Sequence, residues 1–347
     1  MAQVNRSHAQ RSTPVNLKPW HILSSDNEEL RERALSEPLR ARKSWRYRIV
    51  GDLFAKLPVD KIASVLGVVA ASSRHEFEVV TLCPERAGEF YKLLDEAAAE
   101  AKDTDGLAWG RARLLWHCVG KNDGGYSLAP ALPWPLPNLR LTTHVTTQAE
   151  ADARIPALLA CPAASYGLTM TPTEGIDIRP WQSDNDGCED CDDNGIGGPG
   201  HCRRSDIPRC EQCPTKFAVF ENDERGTRKT LALVTVQGAA GPVHPDWVRS
   251  IRDQCKAAGV PFRFEGWGRW FDLTNDAPCS DRHIRAIEDR VILPSGKVIG
   301  VGCRIGRQHT GGVALDWKER GAAWMARIGR ESAGRLLDGV THDGELP

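Results

Sequence analysis

From residue 44 onward, short apolar runs alternate with stretches whose apolar residues recur every three or four positions. Trp45–Val50, Phe77–Leu82, Leu139–Val145, Ala164–Met170, Leu231–Val236 and Pro261–Glu265 read as strands. Between them, Val59–Ser73 carries Ile62, Val65, Leu66 and Val69 at helical period and is predicted to be a helix. Pro84–Lys102 is a second helix, with its proline in the first turn, where no amide hydrogen is needed. Gln148–Ala160 and Asp246–Ala258 complete the set. Strands linked mainly by helices predict a parallel sheet with right-handed crossovers. The strands lack strict in/out alternation, as expected when both faces are buried. An open or partial barrel and a doubly wound sheet both satisfy this pattern. No Gly-x-Gly-x-x-Gly stands between a strand and a helix, so the dinucleotide fingerprint is absent.

Interruptions divide the chain into 1–43, 44–181, 182–229, 230–270 and 271–347. Residues 1–43 are polar, with one predicted helix over Asn27–Arg42 carrying Leu30, Leu35 and Leu39 behind a possible Ser24–Ser25–Asp26 cap. Residues 103–136 form a Gly/Pro/Trp-rich excursion, with a helix candidate at Leu107–Trp116. Residues 271–347 append a hairpin turning at Leu293–Lys297, then a helix and a tail.

Charge narrows the partners. Lys plus Arg is 45 and Asp plus Glu is 46, so no global field recruits nucleic acid or membrane, and any such binding is local. Up to residue 50 there are ten Lys/Arg against five acids; a solvated helix face explains them better than a nucleic-acid arm. No apolar run reaches the roughly 18 residues a membrane span needs, and the polar N-terminus is unlike a secretory signal. A cytoplasmic protein without a membrane partner is expected.

Eleven cysteines are many for that compartment, where clustered thiols mean metal or catalysis rather than disulfides. Five lie in 182–229: Cys188-x-x-Cys191, Cys202 and Cys210-x-x-Cys213, with 18 residues between Cys191 and Cys210. This paired-knuckle spacing suits tetrahedral zinc, because two intervening residues let one tight turn aim both sulfurs at one ion. The intervening Asn194–Gly200 stretch is Gly-rich, and metal binding would offset its ordering entropy. Four thiolates suffice, which leaves Cys202 and His201 as spare ligands. The neighbouring acids (Asp184, Asp186, Glu189, Asp190, Asp192, Asp193) read as a solvated loop. Structural zinc is the expectation; four thiolates also suit an iron–sulfur cluster, and a metal-free loop is the remaining alternative.

Several stretches, in order, resemble one family. They are Pro38–Lys43, Gly51–Phe54, Phe77–Thr81 with Pro84–Arg86, Trp134–Asn138, Ala151–Pro156, Asp177–Trp181, His244–Cys255, Ala258–Phe262, Trp267–Gly268 and Gly334–Gly339. Together they cover roughly residues 36–339 outside the insertions. The set is similar to the phage- and prophage-encoded radical-SAM-like proteins of unassigned function. The resemblance implies a partial (β/α) barrel, here of about six parallel strands with the Cys-rich insertion and a C-terminal hairpin-helix extension. It also implies chemistry at the carboxyl ends of the strands, and a [4Fe-4S] cluster on an N-terminal Cys-x-x-x-Cys-x-x-Cys loop that binds and reductively cleaves S-adenosylmethionine.

This chain departs from that pattern. No cysteine precedes Cys83, so the cluster loop is missing, and residues 1–35 stand in its place and that of the first strand. Against the family's strand-end residues, a basic pair reads Leu82-Cys83, three glutamates read Thr146, Met170 and Ala239, and a lysine reads Glu265. Asp52 and Thr81 remain. Three thiolates hold the cluster and leave one iron for the cofactor; without them radical chemistry has no initiator. The leading expectation is a non-catalytic relative, a zinc-stapled scaffold for a protein or nucleic-acid partner. The alternative is an enzyme whose cluster sits on three of the five insertion cysteines. A misplaced chain start is a third reading, against which the altered strand ends argue.

Other residues have plainer readings. Cys83 and Cys255 read as packed residues, and His144 as either a core histidine or a group at the barrel mouth. His117-Cys118 carries no site. Arg203-Arg204 and the Arg282–Arg290 run read as surface charge.

Overall fold

The computed structural model describes residues 17–100, 134–179, 231–238, 240–274, 288–301 and 321–344. Seven strands form one parallel sheet, each hydrogen-bonded to the next in chain order: β1 (Leu17–Trp20), β2 (Arg46–Ile49), β3 (Glu76–Thr81), β4 (Leu139–Val145), β5 (Ser165–Met170), β6 (Leu231–Gln237) and β7 (Phe262–Gly266). Strand order never reverses, which excludes the doubly wound alternative, whose order switches direction at its centre. The sheet curls into a half-barrel with helices. The long helices are α3 (Val59–Ala71), α4 (Pro84–Glu100), α5 (Gln148–Ala160) and α6 (Pro245–Ala257), which follow the two short helices α1 (Glu32–Leu35) and α2 (Glu37–Arg40).

Right-handed crossovers between successive neighbours put every connecting helix on one side. The strand faces answer to this. Tyr47, Phe77, Leu139, Leu141, Tyr166, Leu168, Val234, Val236, Phe262 and Phe264 are buried on one face. Trp20, Tyr47 and Phe77 pack ring against ring with centroids 5.5–5.9 Å apart. The alternate positions on β2 to β4 are Arg46, Arg48, Glu76, Glu78, Val80, Arg140, Thr142 and His144, with Arg46 opposite Glu76, Glu78 between Arg48 and Arg140, and Val80 opposite Thr142. The polar half of the strand pattern therefore lines the concave side. β2 to β4 do alternate, in contrast to the expectation of two uniformly apolar faces.

The count of about six strands is corrected to seven. β1 lies inside 1–43, the segment read as a polar lead-in, and pairs with β2 from Leu17↔Arg46 to Trp20↔Ile49. It escaped notice because only Trp20 of its four residues is buried, and because Pro19 is tolerated on the sheet's edge, where one side of the strand needs no donor. The single helix expected over Asn27–Arg42 is two four-residue pieces broken at Ser36, where Pro38 opens the second. A proline there cannot donate back into the preceding turn. The other boundaries agree within two residues, and β4 and α5 coincide with the sequence reading.

Beyond β7, the strands β8 (Trp270–Asp272), β9 (Glu288–Ile292), β10 (Val298–Val301) and β11 (Ala323–Arg327) form an antiparallel sheet ordered β10-β9-β11-β8. The expected Leu293–Lys297 turn joins β9 to β10, with Gly296 at φ 85°. The helix expected after it is the four-residue α7 (Arg330–Ala333). Indole N–H groups tie this sheet and the tail to the barrel: Trp247 donates to the Pro294 carbonyl at 3.1 Å, Trp267 to Leu336 at 2.8 Å and Trp270 to Ala240 at 2.9 Å. His244 adds a fourth tie, donating from Nε2 to the Gly321 carbonyl at 2.9 Å while its Nδ1 accepts the Asp246 amide at the start of α6. The tail then runs antiparallel along the free edge of β7, where the Phe264 amide donates to His342 and the Gly344 amide to Phe262.

Candidate functional site

In a (β/α) barrel the carboxyl ends of the strands carry the chemistry. Here Asp52 follows β2 by way of Gly51, whose φ of 100° turns the chain sharply inward. The Asp52 carboxylate is buried and accepts two backbone amides, Phe54 at 3.0 Å and Leu82 at 2.8 Å. Thr81 accepts the Cys83 amide at 3.0 Å, and its carbonyl receives the Thr143 hydroxyl at 2.8 Å. Asp52 and Thr81 are thus neighbours that staple β2, β3 and β4 together.

A second network sits at the ends of β4 and β5. His144 contacts the Thr171 hydroxyl through Nε2 at 3.0 Å, and its carbonyl accepts Arg154 at 2.8 Å. Glu150 accepts both the amide and the hydroxyl of Thr146, at 2.7 and 2.8 Å, and pairs with Arg154 at 3.1 Å. These bonds hold the Glu150 carboxyl low despite partial burial, whereas burial pushes the His144 imidazole down towards the neutral form. His144, one residue before the end of β4, is half-buried and hydrogen-bonded.

The altered strand ends have distinct fates. Thr146 is taken up by Glu150, Met170 is wholly buried, and Leu82 and Glu265 are exposed. Ala239 lies outside the described residues. Cys83 is half-buried beside Asp52; burial, then the charges of Asp52 and Glu85, push its thiol up, which disfavours the thiolate needed for nucleophilic or ligand chemistry. Cys255 is buried in the core, as read, and Cys161 packs between α5 and α4 with Sγ 3.6 Å from the Pro84 carbonyl.

The five metal-candidate residues, Cys188, Cys191, Cys202, Cys210 and Cys213, lie outside the described residues, as do His117, Cys118, Arg203 and Arg204. Among the described residues no group of three His, Cys, Asp or Glu side chains is placed to hold a metal ion. The segment after β1, where the resemblance puts a cluster loop, does not fit a cubane. It is a compact turn whose Ser24 hydroxyl accepts the Glu28 and Glu29 amides at 3.2 and 2.9 Å, closed by a Leu23–Leu30 bridge, and it contains no thiol.

The concave face carries a polar ladder that the sequence reading missed. Arg46 pairs with Glu76 at 2.5 Å and Arg48 with Glu78 at 2.7 Å, each across β2 and β3. Glu78 also accepts the Thr142 hydroxyl at 3.3 Å, and Arg140 stands 3.9 Å from it. Gly167 on β5 makes room for this group, since a Cβ there would lie 2.6 Å from the Thr142 hydroxyl. The available signal was the Arg-x-Arg of β2 beside the Glu-x-Glu of β3 and the Arg-x-Thr of β4, period-two charge inside three strands.

Seven parallel strands in chain order around a polar concavity define this as a (β/α) half-barrel protein. It belongs to the family described as protein of unknown function (DUF5131), whose model matches residues 1–347. No curated protein and no solved structure matches the chain. Among the described residues no helix is long and apolar enough to cross a membrane.

Proposed function

We propose that this protein is a radical-SAM-like half-barrel of phage or prophage type that works by binding a protein or nucleic-acid partner, without radical chemistry, and that its Cys-rich segment holds structural zinc. The observation that carries the reading is the Ser24-closed turn after β1: the position that would present thiolates to iron has only serines, acids and amides. The bonds that Asp52 and Thr81 make to backbone amides support it, since both side chains serve to brace the strand ends. Zinc on Cys188, Cys191, Cys210 and Cys213, with Cys202 in reserve, would close the insertion into a stable knuckle pair for a partner to dock on.

The test is metal content of the full chain, purified anaerobically and then treated with iron and sulfide. The expected result is zinc near one per chain, no iron, and loss of zinc in Cys188→Ser and Cys210→Ser. Iron with acid-labile sulfide, together with 5′-deoxyadenosine formed from S-adenosylmethionine, would instead establish an enzyme with its cluster relocated to the insertion.

A further inference from the structure

The concave face contains a buried cation that makes no close hydrogen bond to the described residues. Arg140, the second residue of β4, is 8% exposed, and its Nε has no acceptor among the described residues. Its nearest carboxylate oxygen, on Glu78, is 3.9 Å away, beyond hydrogen-bond reach, and that carboxylate already serves Arg48 and Thr142. Glu76 is likewise taken by Arg46, and Arg263 on β7 donates its Nε to the Gly344 carbonyl. The charges acting on Arg140 come from three strands: Glu78 and Glu76 attract it, and Arg46 and Arg263 repel it. Arg46, Arg48, Arg140 and Arg263 thus face only Glu76 and Glu78 in this group, an excess of positive charge.

A buried guanidinium loses its hydration and is retained only when acceptors replace the water. Almost all buried polar groups have such partners, so a guanidinium nitrogen without one calls for an acceptor beside it, a water, an ion or a ligand group. A planar fork of N–H donors matches an oxyanion, which can take two parallel hydrogen bonds from one arginine.

We propose that the concave face of the half-barrel binds a small oxyanion, the phosphate or carboxylate group of a ligand, on the Arg140 guanidinium, with Arg46 and Arg263 adding positive charge around it. Glu78 holds the neighbouring arginine in place and leaves the Arg140 donors to the anion. The site is independent of the metal reading above, because it uses no residue of the insertion or of the turn after β1.

The experiment is thermal denaturation and calorimetric titration of the full chain with inorganic phosphate and, separately, with succinate, against chloride at matched ionic strength. Stabilisation grows with the occupancy of a site present only in the folded state. The expected result is a rise in Tm with one of the two anions beyond the chloride control, weakened at least tenfold in apparent affinity in Arg140→Gln and partly kept in Arg140→Lys. Response to phosphate alone assigns a phosphorylated ligand, and response to succinate alone a carboxylate. The proposal is overturned if neither anion acts beyond chloride, or if Arg140→Gln and Arg140→Lys, shown folded by circular dichroism, respond as the parent does. Should Arg140→Gln not fold, the comparison of Arg140→Lys with Arg263→Gln decides: an unchanged affinity in both refutes the site.

Discussion

The Asp52 carboxylate accepts the Leu82 amide at 2.8 Å, joining the carboxyl ends of β2 and β3 across 30 residues of chain. With the Phe54 amide on its other oxygen, Asp52 is a brace at the position where a catalytic group would be expected. Asp52→Ala leaves the buried Phe54 amide and the part-buried Leu82 amide without their acceptor. The expected cost is about 2–3 kcal/mol in urea unfolding, from the penalty of unpaired buried donors. Asp52→Asn, which keeps one acceptor oxygen, is expected to lie between the two.

Glu78 is the shared counter-charge of the concave face. It is buried, bonded to Arg48 and Thr142 and close to Arg140. Glu78→Gln weakens the charged hydrogen bond to the partly exposed Arg48 and removes the counter-charge facing Arg140, at an expected cost of about 1.5–3 kcal/mol. Phosphate or succinate bound at Arg140 is expected to restore part of that loss. Chemical denaturation with and without the anion reads both effects.

Gly238 follows β6 at a point where the backbone of Trp267 comes against it. A Cβ there would lie 2.1 Å from the Trp267 carbonyl carbon and oxygen. Backbone cannot swing aside as a side chain can, so Gly238→Ala is expected to destabilise by about 3 kcal/mol or more. Loss of the Gly238 amide bond to Gly266, 2.7 Å long, would accompany the shift. A Tm near the parent's would show that the β6–β7 edge is looser than this contact implies.

Stability should fall with acid in a defined window. Burial pushes His75, His144 and His244 below their ordinary value of 6.5. His75 accepts the Trp45 amide on Nδ1 and donates from Nε2 to the Pro38 carbonyl, so a second proton would face an N–H. His244 is arranged the same way between Asp246 and Gly321. The unfolded chain takes up these protons first, so the stability they protect is complete above about pH 6.5 and declines as pH falls towards the lowered folded values. Denaturation midpoints between pH 5 and 8 check this, and His75→Gln should flatten the slope.

The strand-and-helix order was legible because its signals are local. The period of Ile62, Val65, Leu66 and Val69 gave α3, and the Leu- and Thr-rich stretch Leu139–Val145 gave β4 to the residue. β1 was not legible, because Leu17-Lys-Pro-Trp20 is short, carries a proline and buries one side chain. Of the site, Asp52, Thr81 and His144 could be picked out as strand-end residues. Their partners could not, since Leu82, Cys83 and Thr171 meet them only when neighbouring strands register. Arg140 looked like an ordinary strand arginine; nothing within β4 says that the nearest carboxylate will be spent on Arg48.

By itself, the sequence determined that this is a β/α chain with a cysteine-rich interruption and without thiols ahead of Cys83, because periodicity and residue identity need no neighbours to be read. Only the tertiary structure decided that the sheet runs in chain order and curls, that charged strand positions line its concave side, and that Arg140 is buried there with no acceptor for its Nε among the described residues. Those outcomes depend on distances between strands far apart in the chain, and pairing and burial are set by the curl that brings them together.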